Sequence, residues 1–296
     1  MSDTAATTAN QLKAALRSPD RFSRYILRRP LRPYQIEAAR AIARSVINHD
    51  GLTISVMMSR QAGKNELSAH LQTYLLVIHQ RRPVNLVKCA PTFKPQVINS
   101  KMRLEQLLQN PLTFGRWRGE WSYIVKLGEA RVIFFSADES ANVVGATAHL
   151  ALEFDEAQDI AIEKHDKDFM PMAASTNATR LYWGTAWDDT NLLEQMKAKN
   201  LELEKRDGRK RHFHYPWWVV AEANPAYGRY VESEKARLGE DHPMFRTQYK
   251  LEAIGGISRF LSPQQRALMQ GDHPRQHSPT DDSIIVAGVD IAGADE

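Results

Sequence analysis

Short apolar runs alternate with longer amphipathic segments along most of this chain. Four of the apolar runs predict buried β-strands: residues 52–58, 85–90, 150–154 and 180–183. Between the first two, residues 65–80 carry apolar side chains at the spacing of one helix face, namely Leu67, Leu71, Leu75 and Ile78. Strands that alternate with helices in this way predict an α/β fold with a mostly parallel sheet flanked by helices.

The same patterning predicts several further elements. Residues 121–126 and 130–135 predict a small β-hairpin insertion that turns at Gly128 and Glu129. Residues 212–220 predict another strand. Helices are expected at residues 11–27, 33–48, 95–109, 162–172 and 191–205, and from residue 231 onward.

Changes in composition divide the chain into four segments. Residues 1–30 predict an N-terminal arm with a helix, and residues 31–260 contain the strands and helices of the main domain. Proline, glutamine, histidine, serine and aspartate dominate residues 261–283, which is typical of a linker. Residues 284–296 open with an apolar run that predicts one strand. Because a lone strand cannot fold by itself, it is either an edge of the main sheet or the first strand of a second domain.

The charge, the cysteine count and the apolar runs exclude some classes of protein, but they do not identify the function. The formal charge of +4 and the pI near 9.1 permit binding to nucleic acid. Cys89 is the only cysteine in the 296 residues, so an intrachain disulfide is excluded and a reducing compartment is expected. No apolar run reaches transmembrane length, and the polar residues 1–10 lack the apolar core of a signal peptide. We therefore expect a protein that is neither secreted nor embedded in a membrane.

The segment between the first predicted strand and helix has the chemistry of a phosphate-binding loop. Gly63 allows close approach of the backbone to an anion, and Lys64 supplies the charge for the β- and γ-phosphates. The segment departs from the common pattern at Met58, where a glycine is usual, and at Asn65, where a hydroxyl usually binds Mg²⁺. Asn65 can still offer an amide oxygen to the metal, and Arg60 adds a guanidinium suited to bidentate phosphate contact. The predicted ATP-binding set is Ser59, Arg60, Gln61, Ala62, Gly63, Lys64, Asn65 and Glu66.

An acidic pair follows the predicted strand at residues 150–154. Asp155 and Glu156 lie at its carboxyl end, which is where ligands bind in open α/β sheets. Asp155 is placed to hold Mg²⁺ through water, and Glu156 to orient and deprotonate an attacking water. A surface acidic cluster is the plain alternative, because further acidic residues follow. The loop and the pair in one chain favour a Mg²⁺-dependent ATPase, with Glu156, Lys64 and Arg60 as its catalytic residues.

Four motifs together resemble the large terminase subunit of tailed bacteriophages and prophages, the motor that packages DNA into procapsids. They are an arginine-containing loop (residues 59–64), the triplet Pro33-Tyr34-Gln35, a strand that ends in Asp155-Glu156-Ala157, and the triplet Gly184-Thr185-Ala186. The resemblance covers residues 31–290 and is carried by the order and spacing of the set, since each motif alone is modest. It implies a P-loop NTPase-like fold, with ATP and Mg²⁺ as ligands.

The resemblance also implies roles for residues whose chemistry alone is not diagnostic. Gln35 would contact adenine. Gly184, Thr185 and Ala186 would sense the γ-phosphate and couple hydrolysis to movement. Asp290 matches the metal-binding aspartate on the first strand of a ribonuclease-H-like nuclease domain, here truncated. Since one aspartate cannot build a two-metal site, we expect no nuclease activity from this chain.

The family's partners follow by the same implication. They are double-stranded DNA, the portal of a procapsid, a small terminase subunit, and further copies of the chain in a homo-oligomeric ring. The expected location is the host cytoplasm, and no membrane partner is expected.

One position departs from the family. Many terminases carry an arginine finger ahead of the acidic strand, whereas Val144 stands at the corresponding place here. Because an arginine finger contributes several orders of magnitude to phosphoryl transfer, either another arginine must serve or the motor works differently. Arg60 is the first candidate, and Arg180 and Arg246 are the alternatives.

Two other functions stay open from the sequence. A helicase-like translocase of superfamily two would need a second motor lobe, and none is visible before residue 261. A nucleotide-gated scaffold without hydrolysis would explain Met58 and Asn65, but the retained pair Asp155-Glu156 argues against it.

Overall fold

An eight-stranded sheet runs through the part of the chain that the computed structural model describes, which is residues 10–138, 141, 143 and 145–255. The strands along the chain are β1 (Thr53–Met58), β2 (Asn85–Ala90), β3 (Trp117–Glu120), β4 (Ile124–Leu127), β5 (Ala130–Ser136), β6 (Ala151–Phe154), β7 (Thr179–Gly184) and β8 (His212–Tyr215). Their order across the sheet is β3-β4-β5-β2-β6-β7-β1-β8. Strand β7 therefore separates β1, which leads into the predicted loop, from β6, which leads into the acidic pair.

The sheet is mostly parallel, as the sequence predicts. Only the pairs β3–β4 and β4–β5 are antiparallel, and β4–β5 is the predicted hairpin. Gly128 makes its turn with a φ of +59°, and a Cβ there would lie 2.2 Å from the carbonyl oxygen of Gln80, so only glycine fits. Strand β3 is not predicted by the apolar pattern, because it is four residues long and largely polar.

Seven helices of at least seven residues belong to the described part. They are α1 (Pro19–Tyr25), α2 (Pro33–Ile47), α3 (Lys64–His79), α4 (Ile98–Leu107), α5 (Leu192–Asp207), α6 (Trp217–Ala223) and α7 (Pro225–Leu238). Shorter helical turns occupy Phe93–Val97, Ala157–Asp159, Ile162–Lys164, His165–Phe169, Met170–Ala173, Pro243–Phe245 and Arg246–Lys250. None of the helices in these ranges has the length and apolar character needed to span a membrane.

Two predicted elements are shorter in the structure because a proline interrupts each of them. The helix expected at residues 11–27 is interrupted, because Ser18 is extended (φ −155°, ψ 152°) before Pro19, as residues that precede proline usually are. The strand expected at residues 212–220 ends at Tyr215. Pro216 follows, lacks the N–H that a ladder needs, and is the N-cap of α6.

Two helix predictions also need correction. The continuous helix expected at residues 162–172 is a series of short helical turns instead. The helix expected from residue 231 begins earlier, at Pro225, where the side chain of Asn224 accepts a hydrogen bond from the backbone N–H of Tyr227.

Both faces of the central sheet are buried, as is usual for parallel strands. Along β2, Leu86 and Ala90 pack in one apolar cluster with α2, α3 and α4. Val87 and Cys89 point the other way and pack with the start of α5 and the helical turns that follow β6. Lys88 alternates with Val87 and Cys89 along the strand and therefore lies on the same face as Leu86 and Ala90, toward α3.

The described residues fall within one unit of the chain, residues 1–257. The predicted linker at residues 261–283, the predicted strand at residues 284–296 with Asp290, and the position of Val144 lie outside the described residues.

Candidate nucleotide-binding site

The predicted loop joins β1 to α3 and has the backbone of an anion-binding turn. Gln61 and Gly63 both have positive φ angles, +61° and +89°. Helix α3 begins directly at Lys64. Because the first N–H groups of a helix have no partner within it and carry a partial positive charge, this turn favours a phosphate.

Helix α2 holds the loop from one side. The hydroxyl of Tyr34 donates to the carbonyl oxygen of Ala62 at 2.6 Å, and the amide of Gln35 donates to that of Gly63 at 3.2 Å. The oxygen of the Gln35 amide accepts from the backbone N–H of Arg32 at 3.0 Å. In this structure Gln35 is therefore a buried tether of the loop, and its contact with adenine stays a prediction.

Helix α7 and the turn Arg246–Lys250 hold the loop from the other side. The hydroxyl of Tyr227 donates to the carbonyl oxygen of Arg60 and lies 2.8 Å from the hydroxyl of Ser59. The backbone N–H of Arg60 donates to the carbonyl oxygen of Gln248 at 2.8 Å. These contacts fix the loop backbone and leave the Arg60 side chain exposed.

The loop lysine meets the acidic pair. The ammonium of Lys64 lies 2.6 Å from Oε1 of Glu156 and 3.8 Å from Oδ1 of Asp155. Glu156 has a φ of +48°, in the left-handed region that non-glycine residues seldom occupy and that is frequent at functional sites. The two motifs, which are about ninety residues apart in sequence, thus form one charged centre at the carboxyl edge of the sheet.

Asp155 is buried in a shell of donors. Its Oδ2 lies 3.1 Å from the ammonium of Lys88 and accepts from the Ser100 hydroxyl at 3.3 Å. Burial alone would raise the pKa of Asp155, but the ammonium groups of Lys88 and Lys64 outweigh it and hold the pKa below its ordinary value. The carboxylate is therefore ionised at neutral pH and suited to a metal.

Asn65 also faces Asp155. When its amide is oriented so that donors meet acceptors, its nitrogen donates to Oδ1 and Oδ2 of Asp155 at 3.1 and 3.0 Å. The predicted binding of Mg²⁺ through the amide oxygen would need the opposite orientation. Asn65 thus lies where the sequence analysis expects it, with a different group turned toward the carboxylate.

Gln158 links the acidic pair to the triplet at residues 184–186. Its amide nitrogen donates to Oε2 of Glu156 at 2.9 Å, and its oxygen accepts from the backbone N–H of Thr185 at 3.4 Å. A Cβ on Gly184 would lie 2.1 Å from that same oxygen, so any other residue there would displace the Gln158 amide. Gln158 is not predicted from the sequence, because its position depends on the neighbouring strands β6 and β7.

A cavity of about 680 Å³ contains this centre. The loop residues and Lys64 line it, together with Glu156, Thr185 and Trp187. A larger cavity of about 1080 Å³ lies beside the β4–β5 hairpin and shares no residue with the first. We take the smaller cavity as the candidate site because it holds the convergent charged groups.

The candidate arginines lie in different places. Of the three, only Arg60 lines the cavity. The guanidinium of Arg180 donates to the carbonyl oxygen of Gly51, which precedes β1. Arg180 therefore lies near the amino-terminal ends of the parallel strands, away from the cavity. Arg246 pairs with Glu252 at 2.8 Å.

Another arginine, Arg103 of α4, also lines the cavity. It donates to Oε2 of Glu66 at 2.9 Å, while His70 lies 3.3 Å and Arg29 3.6 Å from the other carboxylate oxygen. The contacts from His70 and Arg103 lower the pKa of Glu66 to about 2 against the opposing effect of its partial burial. Arg103 is not predicted from the sequence, because nothing in the local pattern of α4 shows that it turns toward the loop.

The chain resembles solved structures in fold, although it has no match in sequence. No protein-family model matches the chain, and no curated protein matches it in sequence. The ATPase domain of the large terminase of Thermus phage P74-26, in a mutant form, superposes with a TM-score of 0.61 over 80% of this chain and 100% of that one, at 17% identity.

The chain has the fold of a large terminase ATPase domain. The large terminase of bacteriophage HK97 gives a TM-score of 0.59 over 79% of this chain, at 17% identity. A large terminase from a thermophilic bacteriophage, solved in complex with ADP, gives 0.54 over 72%, at 12% identity. The chain spans the whole of the isolated terminase ATPase domain and about half, 53%, of each of these two terminases.

The terminase fold confirms the predicted P-loop NTPase-like architecture. At these identities the likeness is one of fold. The roles of individual residues therefore rest on the distances and burial in this chain.

Proposed function

We propose that this chain is the Mg²⁺-dependent ATPase domain of a large terminase, and that ATP hydrolysis drives double-stranded DNA into a viral procapsid. One observation carries the proposal. In a terminase fold, the lysine of a phosphate-binding loop lies 2.6 Å from Glu156, beside the buried Asp155, in a cavity at the carboxyl edge of the sheet.

The loop would bind the phosphates of ATP. The N–H groups at the start of α3 supply oriented dipoles, and Lys64 supplies a charge for the β- and γ-phosphates. Arg60, which is exposed in the same cavity, would add charge on the γ-phosphate side. A phosphate would compete with Glu156 for Lys64.

Glu156 would act as the general base. Once Lys64 turns to a phosphate, the carboxylate of Glu156 is free to accept a proton from the attacking water. Gln158 donates to its other oxygen and would keep the carboxylate in place during this exchange.

The donor set fits Mg²⁺. This ion favours one or two carboxylates completed by phosphate and water oxygens, and Asp155 offers an ionised carboxylate beside the loop. Mg²⁺ bound there would neutralise charge that develops on the phosphates. Asn65 would be an additional oxygen ligand if its amide rotates.

Coupling to movement would start at Gln158. It joins Glu156 to Thr185, and the amide of Gln248 approaches the hydroxyl of Thr185 at 3.5 Å, the outer limit of a hydrogen bond. The backbone carbonyl oxygen of Gln248 also accepts a hydrogen bond from the backbone N–H of Arg60. A change at the γ-phosphate would reach both residues 184–186 and the turn Arg246–Lys250 by this route.

The remaining partners belong to the proposal as well. We propose a homo-oligomeric ring that acts with a procapsid portal and a small terminase subunit in the host cytoplasm. The likeness to terminase ATPase domains supports the fold alone, and the partners follow from the proposed function. The nuclease role of Asp290, outside the described residues, stays a prediction.

Phosphate release by the wild type and by Glu156→Gln tests the ATPase. We expect the variant to lose about 10²- to 10⁴-fold in turnover, the usual contribution of a general base. Its affinity for ADP should stay close to that of the wild type, because the loop is unchanged. Equal rates in both proteins, or none in either, would show that the chain is not an ATPase.

A further inference from the structure

Lys88 is a buried lysine that the proposed chemistry does not yet use. Its side chain is 2% exposed, in the middle of β2, and it lies on the α3 face of the sheet. An ammonium removed from water is destabilising unless charged and polar groups surround it. The ammonium of Lys88 lies 3.1 Å from Oδ2 of Asp155 and donates to the hydroxyl of Ser68 at 3.0 Å.

The register of the sheet places a second carboxylate beside it. Lys88 pairs with Glu153 across β2 and β6, and Asp155 follows two residues later on the same face. From α3, the hydroxyl of Ser68 donates to Glu153 at 2.6 Å, and the amide of Gln72 donates to it at 3.3 Å. Lys88, Ser68 and the two carboxylates therefore form one continuous buried network.

Lys88 differs from Lys64 in what else it can bind. Lys64 lines the cavity and contacts Glu156 as well as Asp155, so a phosphate can draw it away. Lys88 does not line that cavity, and the packing of β2 and α3 closes it off from solvent. It can therefore stay on Asp155 when Lys64 turns to the nucleotide.

We propose that Lys88 is a positioning residue, which holds the carboxylate of Asp155 in the orientation that receives Mg²⁺. The inference rests on the proposed function, since it concerns the metal of that site. Ser68 accepts from Lys88, and Glu153 and Gln72 hold Ser68 in turn. Partners of this kind, one step removed from the metal, orient the groups that bind it.

The competing explanation is purely structural: Lys88 would only offset the buried charge of Glu153. The double variant Lys88→Met/Glu153→Gln separates the two roles. It removes one positive and one negative charge together, and the glutamine amide can still bind Ser68 and Gln72. If Lys88 only offsets Glu153, this variant behaves like the wild type in every respect.

The measurement is the affinity for ADP with Mg²⁺ and with EDTA, together with thermal stability. In EDTA the affinity of the double variant should equal that of the wild type, because the loop is untouched. The strengthening of ADP binding by Mg²⁺ should fall about 10-fold, the lower end of the usual loss for such outer partners. Glu153→Gln alone, which keeps Lys88, is the matched control and should retain the wild-type effect of Mg²⁺.

Ser68→Ala gives a second route that keeps every charge. It removes the hydroxyl that receives the Lys88 ammonium, and we expect the Mg²⁺ effect to fall about threefold, the size of one net hydrogen bond. If the double variant does not fold, an unchanged Mg²⁺ effect in Ser68→Ala overturns the inference.

The outcomes separate the two proposals. A folded double variant with the wild-type Mg²⁺ effect overturns the positioning role of Lys88 and leaves the proposed function intact. A wild type that binds no ADP under either condition overturns the proposed function and this inference together.

Discussion

Two lysines contact Asp155, and they lie in different surroundings. Lys64 begins α3 at the edge of the cavity and lies against both acidic residues. Lys88 lies inside the sheet and contacts one carboxylate and one hydroxyl. One ammonium is therefore free to exchange partners, whereas the other is held. We therefore propose that the same charge serves for phosphate binding at the rim of the cavity and for orientation in the interior.

Burial makes the two contacts differ in energy as well as in role. An ion pair at a cavity edge is screened by water, whereas a fully buried ion leaves an uncompensated charge when its partner is removed. The comparison predicts that the lysines separate stability from activity. Substitution of the buried lysine should affect folding first, and substitution of the loop lysine should affect catalysis first.

Lys88→Met should have the largest effect on stability. It leaves Glu153 buried without an ammonium beside it and leaves Asp155 with Lys64 alone, at 3.8 Å. Breaking a buried pair costs about 3–5 kcal/mol. Urea denaturation measures this change in the free energy of unfolding. Lys126→Met is the matched control, because Lys126 also lies on a strand but pairs at 3.6 Å with the exposed Glu129.

The control should lose no more than about 1 kcal/mol, the usual value of an exposed ion pair. If Lys88→Met and Lys126→Met unfold at the same urea concentration, the contact between Lys88 and Asp155 contributes no more than a surface pair, and the contrast between the two lysines is wrong.

Lys64→Met should give the complementary result. We expect the free energy of unfolding to change by about 1 kcal/mol or less, since the cavity admits water to the pair with Glu156. ATP turnover should fall about 10²- to 10³-fold, as when one preorganised charge-stabilising group is removed. Phosphate release and urea denaturation on the same preparation measure both. A variant that keeps wild-type turnover would contradict the assignment of the phosphate-binding lysine.

The two lysines also differ in whether their roles could be predicted from the sequence. Lys64 is recognisable because its strand, glycine turn and helix are contiguous, and Asp155-Glu156 because the pair ends an apolar strand. In the sequence, Glu153 only interrupts an apolar run and Lys88 is a lysine within a strand. Their contact depends on β2 lying beside β6 in one register, which local patterns do not encode.

The fold shows the same limit. The hairpin and the parallel strands follow from apolar periodicity and turn residues. Strand β3 does not, because it lies at the sheet edge and none of its residues is buried. Arg103 and Gln158 reach the site through packing between elements distant in sequence. Local chemistry therefore identifies the groups that would contact the nucleotide, and the groups that hold them become visible only in three dimensions.

Asn65 allows the finest test of the comparison, because its amide contacts the same carboxylate as both lysines. Asn65→Thr should keep activity, since a hydroxyl can serve Mg²⁺ from this position. Asn65→Ala should weaken binding of Mg²⁺-ATP about threefold to 10-fold, the value of one polar contact, with ADP affinity in EDTA unchanged. Titrations with Mg²⁺-ATP and with ADP in EDTA measure the two effects. If Asn65→Ala binds Mg²⁺-ATP like the wild type, the amide only donates to Asp155, and Lys88 with Ser100 is sufficient to hold that carboxylate.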